Sequence, residues 1–422
     1  MRHLLDLSLL ALAICAAIPS AWFFLECLLG SLYRPRSRSR RTASAANTAP
    51  GRVVILMPAH DEQAGIADTV RALAPQLDAQ TQLWVIADNC SDETARVAAE
   101  SGAHVIERHD PARRGKGYAL AFGIERLVDD PPDVVVIVDA DCEVSAGGIR
   151  RLAEHALAVQ APVQADYWLA PSEQPSARSV VSALAFVVKN RVRPRGLAAL
   201  GQPCLLTGTG MAFPWQVLRK APPTRDHLVE DMVMGLELAE LGHAPRLCPE
   251  VSVRSALPER EKAASAQRKR WEHGHLATLL SHGPRLVAHG LRSARLELLT
   301  LALDLLVPPL SLLVMLLLAG TTVCAACWLL LASSALPLQL FALSLCAIGV
   351  GVLAGWYAYG RQLVRARDLL SIPLYLVWKL PLYIGFFARR KQQSWERTER
   401  APTRETRETR EPNEPSESGK VG

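Results

Sequence analysis

Apolar residues fall into two long blocks, Leu4–Tyr33 and Leu296–Phe387, and the part of the chain between them mixes apolar and polar stretches. The first block exceeds both the ~20 residues that cross a hydrocarbon layer and the ~7–15 apolar residues of a signal peptide. We therefore predict a transmembrane anchor over residues 1–33, with a cleaved signal peptide as the alternative. A basic linker, residues 34–50, follows. Arginine beside a span marks its cytoplasmic side, so the N-terminus is expected outside and the next domain inside.

The second apolar block is long enough for more than one span. A helix should break at Pro308-Pro309. Residues 309–359 are therefore predicted to form two transmembrane helices, Leu310–Ala332 and Leu338–Tyr359, joined by a short turn. Residues 286–308 carry charged positions among leucines and are predicted to form an interfacial helix that leads into the spans.

The C-terminal region is predicted to stay on the cytoplasmic side. Leu369–Phe387 is apolar, but prolines and Lys379 interrupt it and basic residues flank both of its ends. We interpret residues 360–395 as an interfacial or re-entrant segment, with a further span as the alternative. Residues 396–422 repeat Thr-Arg-Glu without apolar periodicity and are predicted to be disordered.

Residues 51–285 carry the alternation of short apolar runs and helical stretches that predicts a mostly parallel α/β sheet. Three runs are continuous, as in strands buried on both faces: Val53–Met57, Leu83–Ala87 and Val134–Val138. The stretches between them are predicted to be helical: Glu62–Leu73, Asp92–Ser101 and Gly117–Val128. Ligands of open α/β sheets bind at the carboxyl ends of the strands. The polar residues that follow each run should therefore meet in one crevice.

Composition limits the classes of protein. Of the 422 residues 50% are apolar and 21% charged, and the clustering of the apolar ones excludes a wholly soluble or wholly disordered chain. The net charge of +6 is carried largely by arginine runs beside the apolar blocks. Membrane topology explains those runs, so no nucleic-acid partner is predicted. The nine scattered cysteines indicate neither a disulfide framework nor a zinc site.

Candidate donor-binding residues follow the second and third strand runs. Asp139 and Asp141 stand one residue apart at a strand end. There they could hold a divalent cation that bridges nucleotide phosphates, with an ordinary polar turn as the alternative. Asp88 closes the second run, and its carboxylate has an acceptor for a base or a ribose. Lys116, between two glycines at a predicted helix start, suits a diphosphate, with a solvated basic turn as the alternative.

Two later segments add candidate catalytic groups. The Gly-rich run Thr207–Phe213 permits close backbone contact with a substrate, although alone it is only a flexible loop. Asp231 starts a predicted helix, where it could act as a catalytic acid–base group or merely interact with the helix dipole. Its neighbour Glu230 is expected to point elsewhere.

One predicted helix face combines an amide, a guanidinium and an indole. Gln267, Arg270 and Trp271 are spaced i, i+3 and i+4. Arginine can hold phosphate through two hydrogen bonds, and tryptophan offers a stacking surface. A charged surface helix with one buried tryptophan is the alternative. His273 and His275 lie outside this face and are expected to be satisfied or solvated rather than metal ligands.

Together and in this order, the motifs resemble the family-2 glycosyltransferases with a GT-A fold, in particular the membrane-bound branch of cellulose, chitin and hyaluronan synthases and ceramide glucosyltransferase. The resemblance covers about Val53–Leu280 and the flanking spans. The matching segments are Pro58-Ala59-His60-Asp61-Glu62, Asp88, Gly115-Lys116-Gly117, Asp139-Ala140-Asp141, Glu230-Asp231 and Gln267-Arg268-Lys269-Arg270-Trp271.

The resemblance implies a role for each candidate residue. Asp88 would contact the nucleobase, and Asp139 and Asp141 would bind the donor diphosphate with its Mg²⁺ or Mn²⁺. Asp231 would be the general base. Gln267, Arg270 and Trp271 would hold the diphosphate and the acceptor end. The implied donor-binding set is Asp61, Asp88, Lys116, Asp139, Gln267, Arg270 and Trp271.

The resulting hypothesis is an inverting hexosyltransferase at the cytoplasmic face of the plasma (inner) membrane. A nucleotide sugar, with a UDP-sugar favoured, would donate to a hydroxyl of a lipid or polysaccharide in cell-envelope or extracellular glycan synthesis. Membrane lipids and other glycan-assembly proteins would be its partners. The chain is predicted to have only about two C-terminal spans, and this small number argues against processive synthesis and export of a polymer. The alternatives are a polyisoprenyl-phosphate sugar transferase, which the QxxRW motif disfavours, and a catalytically silent membrane scaffold, which the intact acids disfavour.

Overall fold

The computed structural model describes residues 2–34, 50–170, 176–222, 228–256 and 261–388. Most of the predicted linker and the whole of the predicted disordered tail, residues 396–422, lie outside the described residues.

The elements alternate in the central part of the chain and are helical at both ends. The strands are β1 Val53–Ala59, β2 Thr81–Asp88, β3 His104–Arg108, β4 Val134–Ile137, β5 Cys142–Val144, β6 Val163–Ala170, β7 Met211–Pro214 and β8 Arg246–Ala256. The helices are α1 Arg2–Leu32, α2 Ile66–Leu73, α3 Thr94–Glu100, α4 Lys116–Arg126, α5 Gly148–Val159, α6 Ala177–Val187, α7 Arg193–Ala199, α8 Trp215–Leu218, α9 Glu230–Glu240, α10 Glu261–Ser293, α11 Leu296–Leu306, α12 Leu310–Leu331, α13 Leu336–Gly355 and α14 Ile372–Ala388.

The eight strands in the described part of the chain form one sheet in the order β3-β2-β1-β4-β7-β6-β8-β5. Strands β3, β2, β1 and β4 are parallel, and β7 joins β4 in the antiparallel sense. The predicted α/β class with a mostly parallel sheet is confirmed. Along β1, Val53, Ile55 and Met57 enter one core while Val54 and Leu56 enter another. Helices cover both faces, which is why the run is continuously apolar.

Among the described residues, four helices are long and apolar enough to cross a membrane: Arg2–Leu32, Leu310–Leu331, Leu336–Gly360 and Ala366–Phe386. The first three match the predicted spans. The fourth is the segment that we interpret as interfacial, and that interpretation stays a prediction. Within the predicted interfacial segment, residues 286–308, the structure has a helix over Leu296–Leu306, and its interfacial position stays a prediction. Helix α10 continues to Ser293, and α11 is a separate helix packed against α9 through Leu298, Leu301 and Leu305.

A buried ion triad connects the first span to the sheet domain. The Arg193 guanidinium in α7 donates to Glu26 Oε2 of α1 at 2.5 Å and also pairs with the Asp304 carboxylate of α11. A buried charge is tolerated only when it is paired and hydrogen-bonded. Glu26, an apparent interruption of the span in the sequence, is therefore a partner of Arg193.

The helices α1, α12 and α13 pack as a bundle with two distinct ends. At one end, Asp6 Oδ1 of α1 accepts a hydrogen bond from the Ser334 amide in the α12–α13 turn at 3.0 Å. At the other, the Tyr359 hydroxyl donates to the carbonyl of Gly30 at 3.2 Å. The N-terminus of α1 and the α12–α13 turn thus lie at the same end, away from the sheet domain.

Candidate active site

A cavity of about 1540 Å³ lies at the carboxyl ends of the central strands and extends to the helices α12, α13 and α14. The predicted site residues that line it are Asp88, Lys116, Asp139, Asp141, Asp231, Gln267, Arg270 and Trp271. Residues up to 183 positions apart in the sequence therefore meet in one crevice, as the strand-end pattern predicts. Asp61 is the predicted residue that does not line it.

The Lys116 side chain contacts two other predicted motifs, the strand-end aspartates and the Gly-rich run Thr207–Phe213. Its ammonium contacts the Asp139 carboxylate and donates to the Gly208 carbonyl at 2.7 Å. The Asp139 amide donates to Thr209 Oγ1 at 3.0 Å. Burial lowers the pKa of Lys116, but the carboxylates of Asp139 and Glu230 outweigh it and the net shift is upward. The lysine therefore stays a cation in the crevice, where an anionic ligand can use its charge.

The Asp141 carboxylate is held in place by two donors. Ser255 Oγ donates to Asp141 Oδ2 at 2.7 Å, and the Cys142 thiol lies 3.6 Å from Oδ1. Ligand atoms of Asp139, Asp141 and Cys142 all lie within 4.8 Å of one another. Burial raises the pKa of the Cys142 thiol, so the thiol stays protonated and the two carboxylates remain as the ligands. Their oxygens fit a hard cation such as Mg²⁺ or Mn²⁺.

Asp88 is oriented by a strand that sequence reasoning missed. Arg108, the last residue of β3, donates to Asp88 Oδ1 at 2.6 Å, and Asn89 Nδ2 donates to the same oxygen at 3.1 Å. His60 Nδ1 donates to the Asp88 carbonyl at 2.7 Å. The ion pair is largely buried, with both side chains under a tenth exposed. Arg108 thus fixes the carboxylate expected to meet the nucleobase.

Asp61 lies beside the crevice. Its carboxylate accepts hydrogen bonds from the Ser91 amide, at 2.6 Å, and from the Ser91 hydroxyl. Its φ of +52° turns the loop after β1 toward the loop after β2. These bonds position the loop that follows Asp88. A direct contact of Asp61 with the donor stays a prediction.

Helix α9 presents two carboxyl groups to the cavity. Glu230 and Asp231 both line it, so the expectation that Glu230 points elsewhere is wrong. The reason is that both lie in the first turn of α9, next to Leu228 and Val229, which also line the cavity. Burial, with the charge of Asp231, raises the pKa of Glu230 to about 7. Burial also raises the pKa of Asp231, while Lys116 opposes that shift.

The predicted face of α10 does face the cavity. Trp271 packs on the core of the sheet and lies 5.7 Å from the Phe186 ring, and Gln267 and Arg270 line the cavity beside it. His273 and His275 donate through Nε2 to the carbonyls of Leu382 and Leu305, at 3.2 and 3.0 Å. The expectation of satisfied histidines is confirmed.

The residues 50–274 match the family model described as glycosyltransferase like family 2. The chain belongs to this family. Its sheet and its family membership together confirm the predicted GT-A fold.

Among known proteins, the low-salt glycan biosynthesis hexosyltransferase Agl6 of Haloferax volcanii is 36% identical over 91 residues, which are 21% of this chain and 20% of that protein. The chain thus matches about a fifth of the length of this relative. Among solved structures, a mannosyltransferase of Pyrobaculum calidifontis in complex with GDP-Man and Mn²⁺ is 16% identical, with a TM-score of 0.48, and the match covers 87% of this chain and 99% of that one. Glucosyl-3-phosphoglycerate synthase of Mycobacterium tuberculosis, in complex with Mn²⁺ and UDP-glucose, is 22% identical, with a TM-score of 0.39 and coverages of 59% and 84%.

Gly208 lets two charged groups of the candidate site, Lys116 and Asp231, approach each other. Its φ is +93°, and a Cβ added there would lie 3.3 Å from Asp231 Oδ2 and 3.6 Å from Lys116 Nζ. We expect Gly208→Ala to reduce transfer by about tenfold or more, because a shift of 1 Å in a catalytic group can cost about 10²-fold. Sugar transfer from labelled donor by membranes carrying the variant measures this.

Gly242→Ala is the matched control. Gly242 has a φ of +95°, and nothing lies within 4 Å of an added Cβ. Both variants carry the same backbone strain of about 1 kcal/mol. Equal losses of transfer in the two would mean that strain alone, and not the Asp231–Lys116 geometry, matters at Gly208.

Proposed function

We propose that this glycosyltransferase is an inverting hexosyltransferase that moves a sugar from a nucleotide sugar, with a UDP-sugar favoured, to a hydroxyl of a lipid or membrane-associated glycan. The observation that carries the proposal is the shape of the cavity. One end holds Lys116, Asp139, Asp141 and Asp231, and the other end is walled by α12, α13 and α14. A donor bound at the polar end would have its anomeric carbon accessible to an acceptor entering from the membrane side.

The residues divide the reaction between them. Lys116 and Arg270 offer positive charge to the donor diphosphate, and Asp139 and Asp141 would hold Mg²⁺ or Mn²⁺. When bound, this ion would neutralise the negative charge that develops on the leaving diphosphate. Asp231 accepts the proton of the acceptor hydroxyl. The oxygen then attacks the anomeric carbon on the face opposite the diphosphate, so one displacement inverts the configuration.

A screen of nucleotide sugars tests this function. A ligand that binds only the folded state raises its stability by mass action, by about 2.7 kcal/mol at one hundred times its Kd. We expect UDP-hexoses to raise the unfolding temperature of the purified full chain more with Mn²⁺ than with EDTA, and the best donor to label a lipid or glycan fraction. Absence of stabilisation by every nucleotide sugar would favour the silent scaffold.

We also propose that the domain lies at the cytoplasmic face of the plasma (inner) membrane and that α14 lies along that face. Arginine-rich segments follow α1 and α13. The Tyr383 hydroxyl donates to Glu272 Oε2 at 2.6 Å, the Lys379 ammonium contacts the same carboxylate, and Tyr375 and Ser182 hydroxyls are 3.0 Å apart. These contacts attach α14 along its length to the domain helices α6 and α10, which supports an interfacial position.

Site-specific labelling tests this topology. In a background with Cys15→Ser and Cys346→Ser, which removes the exposed native thiols, we expect Ser334→Cys to react with an impermeant maleimide in intact cells. Asp129→Cys, on the sheet domain, should react only after the cells are opened, and so should a C-terminal cysteine tag. Labelling of the C-terminal tag in intact cells would make α14 a span.

A further inference from the structure

A single turn of π-helix, Val188–Val192, joins α6 to α7. Such turns are rare and are often found at functional sites, because they insert a residue and change which side chains face a ligand. Here Lys189 and Asn190 both line the cavity. Neither belongs to the motifs that define the family resemblance.

The polar groups of both side chains are without a partner among the described residues. Asn190 is only 6% exposed, yet it makes no side-chain hydrogen bond there. Lys189 makes neither a hydrogen bond nor an ion pair with any residue of the described ranges, although it is partly buried. Buried polar groups in native proteins are nearly always satisfied. The polar atoms of Lys189 and Asn190 are not fully enclosed by protein, and both residues line the cavity, so a ligand there with matching acceptors can supply the partners that the described residues do not.

Lys189 differs from its neighbour Arg193 in having no direct ion pair with a described residue. Arg193, four residues on, is neutralised by Glu26 and Asp304. Lys189 has no such partner, and burial together with Arg193 lowers its pKa. Asp231 and Glu272 are near enough to oppose that shift. A bound anion would give the Lys189 ammonium the direct ion pair that it lacks.

The wall of the cavity beyond these residues is apolar. It includes Val314 of α12, Ile348 and Val352 of α13, and Ile372 and Leu376 of α14. Hydrocarbon chains gain free energy on leaving water for an apolar surface. A polar head at Lys189 and Asn190 and an apolar chain along these helices would fill both parts of the cavity.

We infer that Lys189 and Asn190 form the head-group site of the acceptor, and that the acceptor is a lipid with a phosphate next to the hydroxyl that receives the sugar. This inference rests on the proposed function. The acceptor oxygen forms the new bond to the anomeric carbon, and its proton passes to Asp231. The bond from that carbon to the diphosphate breaks, and its electron pair stays on the diphosphate.

Binding of short-chain lipids tests the inference. We use the full chain in a neutral detergent, with dihexanoyl phosphatidylglycerol as the anionic hydroxyl probe and dihexanoyl phosphatidylcholine as the comparison. The native chain should bind phosphatidylglycerol at least about tenfold more tightly. Lys189→Met should weaken phosphatidylglycerol binding by about tenfold to a hundredfold, as for a lost charge-assisted hydrogen bond. Lys189→Arg should keep the preference.

Two further variants complete the set. Asn190→Leu should weaken phosphatidylglycerol binding by about three- to tenfold, and Lys220→Met, an exposed lysine that contacts His243, should change nothing. Donor binding should be normal in all of them, which also reports folding. If Lys189→Met fails this folding check, Lys189→Arg and Asn190→Leu decide. An absent preference in the native chain, or an affinity for phosphatidylglycerol that Lys189→Met or Asn190→Leu leaves unchanged, overturns the inference.

The same experiment separates the inference from the proposed function and from the other phosphate source. Normal UDP-sugar binding without a preference for the anionic lipid rejects the head-group site alone, whereas absent donor binding rejects the proposed function. Farnesyl monophosphate tests whether the phosphate itself is the nucleophile. Transfer to it at an undiminished rate by Asp231→Asn would overturn the hydroxyl acceptor, and transfer only to phosphatidylglycerol would support it.

Discussion

Replacement of Asp231 by Asn should slow sugar transfer by about 10²–10⁴-fold and leave donor binding near normal. The amide keeps the size of the side chain and its place in the first turn of α9, but it cannot take up the proton of the acceptor. Asp231 lies next to Lys116 and Gly208 on the wall of the cavity. Transfer from labelled donor and calorimetric donor binding, on the same membrane preparation, measure the two effects.

The pH dependence of sugar transfer should also change in Asp231→Asn. A general base acts only when ionised, and burial raises the pKa of Asp231. Transfer by the native chain should therefore decline, as the pH falls, at a higher pH than an ordinary aspartate with a pKa of about 3.9 would give. Asp231→Asn should lose that decline because the titrating base is gone.

Asp68→Asn is the matched control for the substitution. Asp68 is also in the first turn of a helix, but it is exposed and pairs with Arg71. It should transfer normally, since exposed pairs of this kind contribute about 0–1 kcal/mol. Glu230→Gln should be milder than Asp231→Asn, because near neutral pH Glu230 is already partly protonated. Donor binding lost in step with transfer would move Asp231 into the donor site.

The sheet could be predicted because three of its strands are visible in the sequence as short runs of apolar residues. Each of the three apolar runs is continuous, and the structure buries both faces of each. The same runs end in the acids that line the cavity, so the position of the site followed from the strand ends. Strand β3 was missed because it is a partly exposed edge strand, and its residues His104–Arg108 are only half-buried.

The partners of the site residues could not be read from spacing. Arg108 reaches Asp88 from 20 positions away, and Glu26 reaches Arg193 from 167. Such pairs depend on how elements pack, not on a local period. Helices α6 and α7 were missed for a related reason. Val180, Leu184 and Val187 have helical spacing, but the residues that they pack against belong to membrane helices distant in the sequence.

Removal of the Asp141 carboxylate should abolish the effect of metal on nucleotide binding. In Asp141→Ala we expect the affinity for UDP in the presence of Mn²⁺ to fall by about tenfold to a hundredfold, toward the value in EDTA, because one of two carboxylate ligands is lost. The fold should persist, since Asp141 lies at the crevice and not in the core. Calorimetric titration with UDP, with and without Mn²⁺, measures the difference.

Two other carboxylates show what is particular to Asp141. Glu143 lies in β5, two residues after Asp141. Glu143→Ala removes an exposed partner of Arg254 and should leave both titrations unchanged.

Asp139→Asn should also weaken the metal effect, but it frees the Lys116 ammonium that Asp139 now contacts. We therefore expect this variant to bind UDP in EDTA at least as well as the native chain, since the released cation can turn to the diphosphate. Asp141→Ala leaves Lys116 on Asp139 and should show no such gain. If Mn²⁺ still strengthens UDP binding in Asp141→Ala, the ion binds elsewhere. If both variants bind UDP more tightly in EDTA, the general loss of negative charge, rather than the release of Lys116, sets the affinity for the diphosphate.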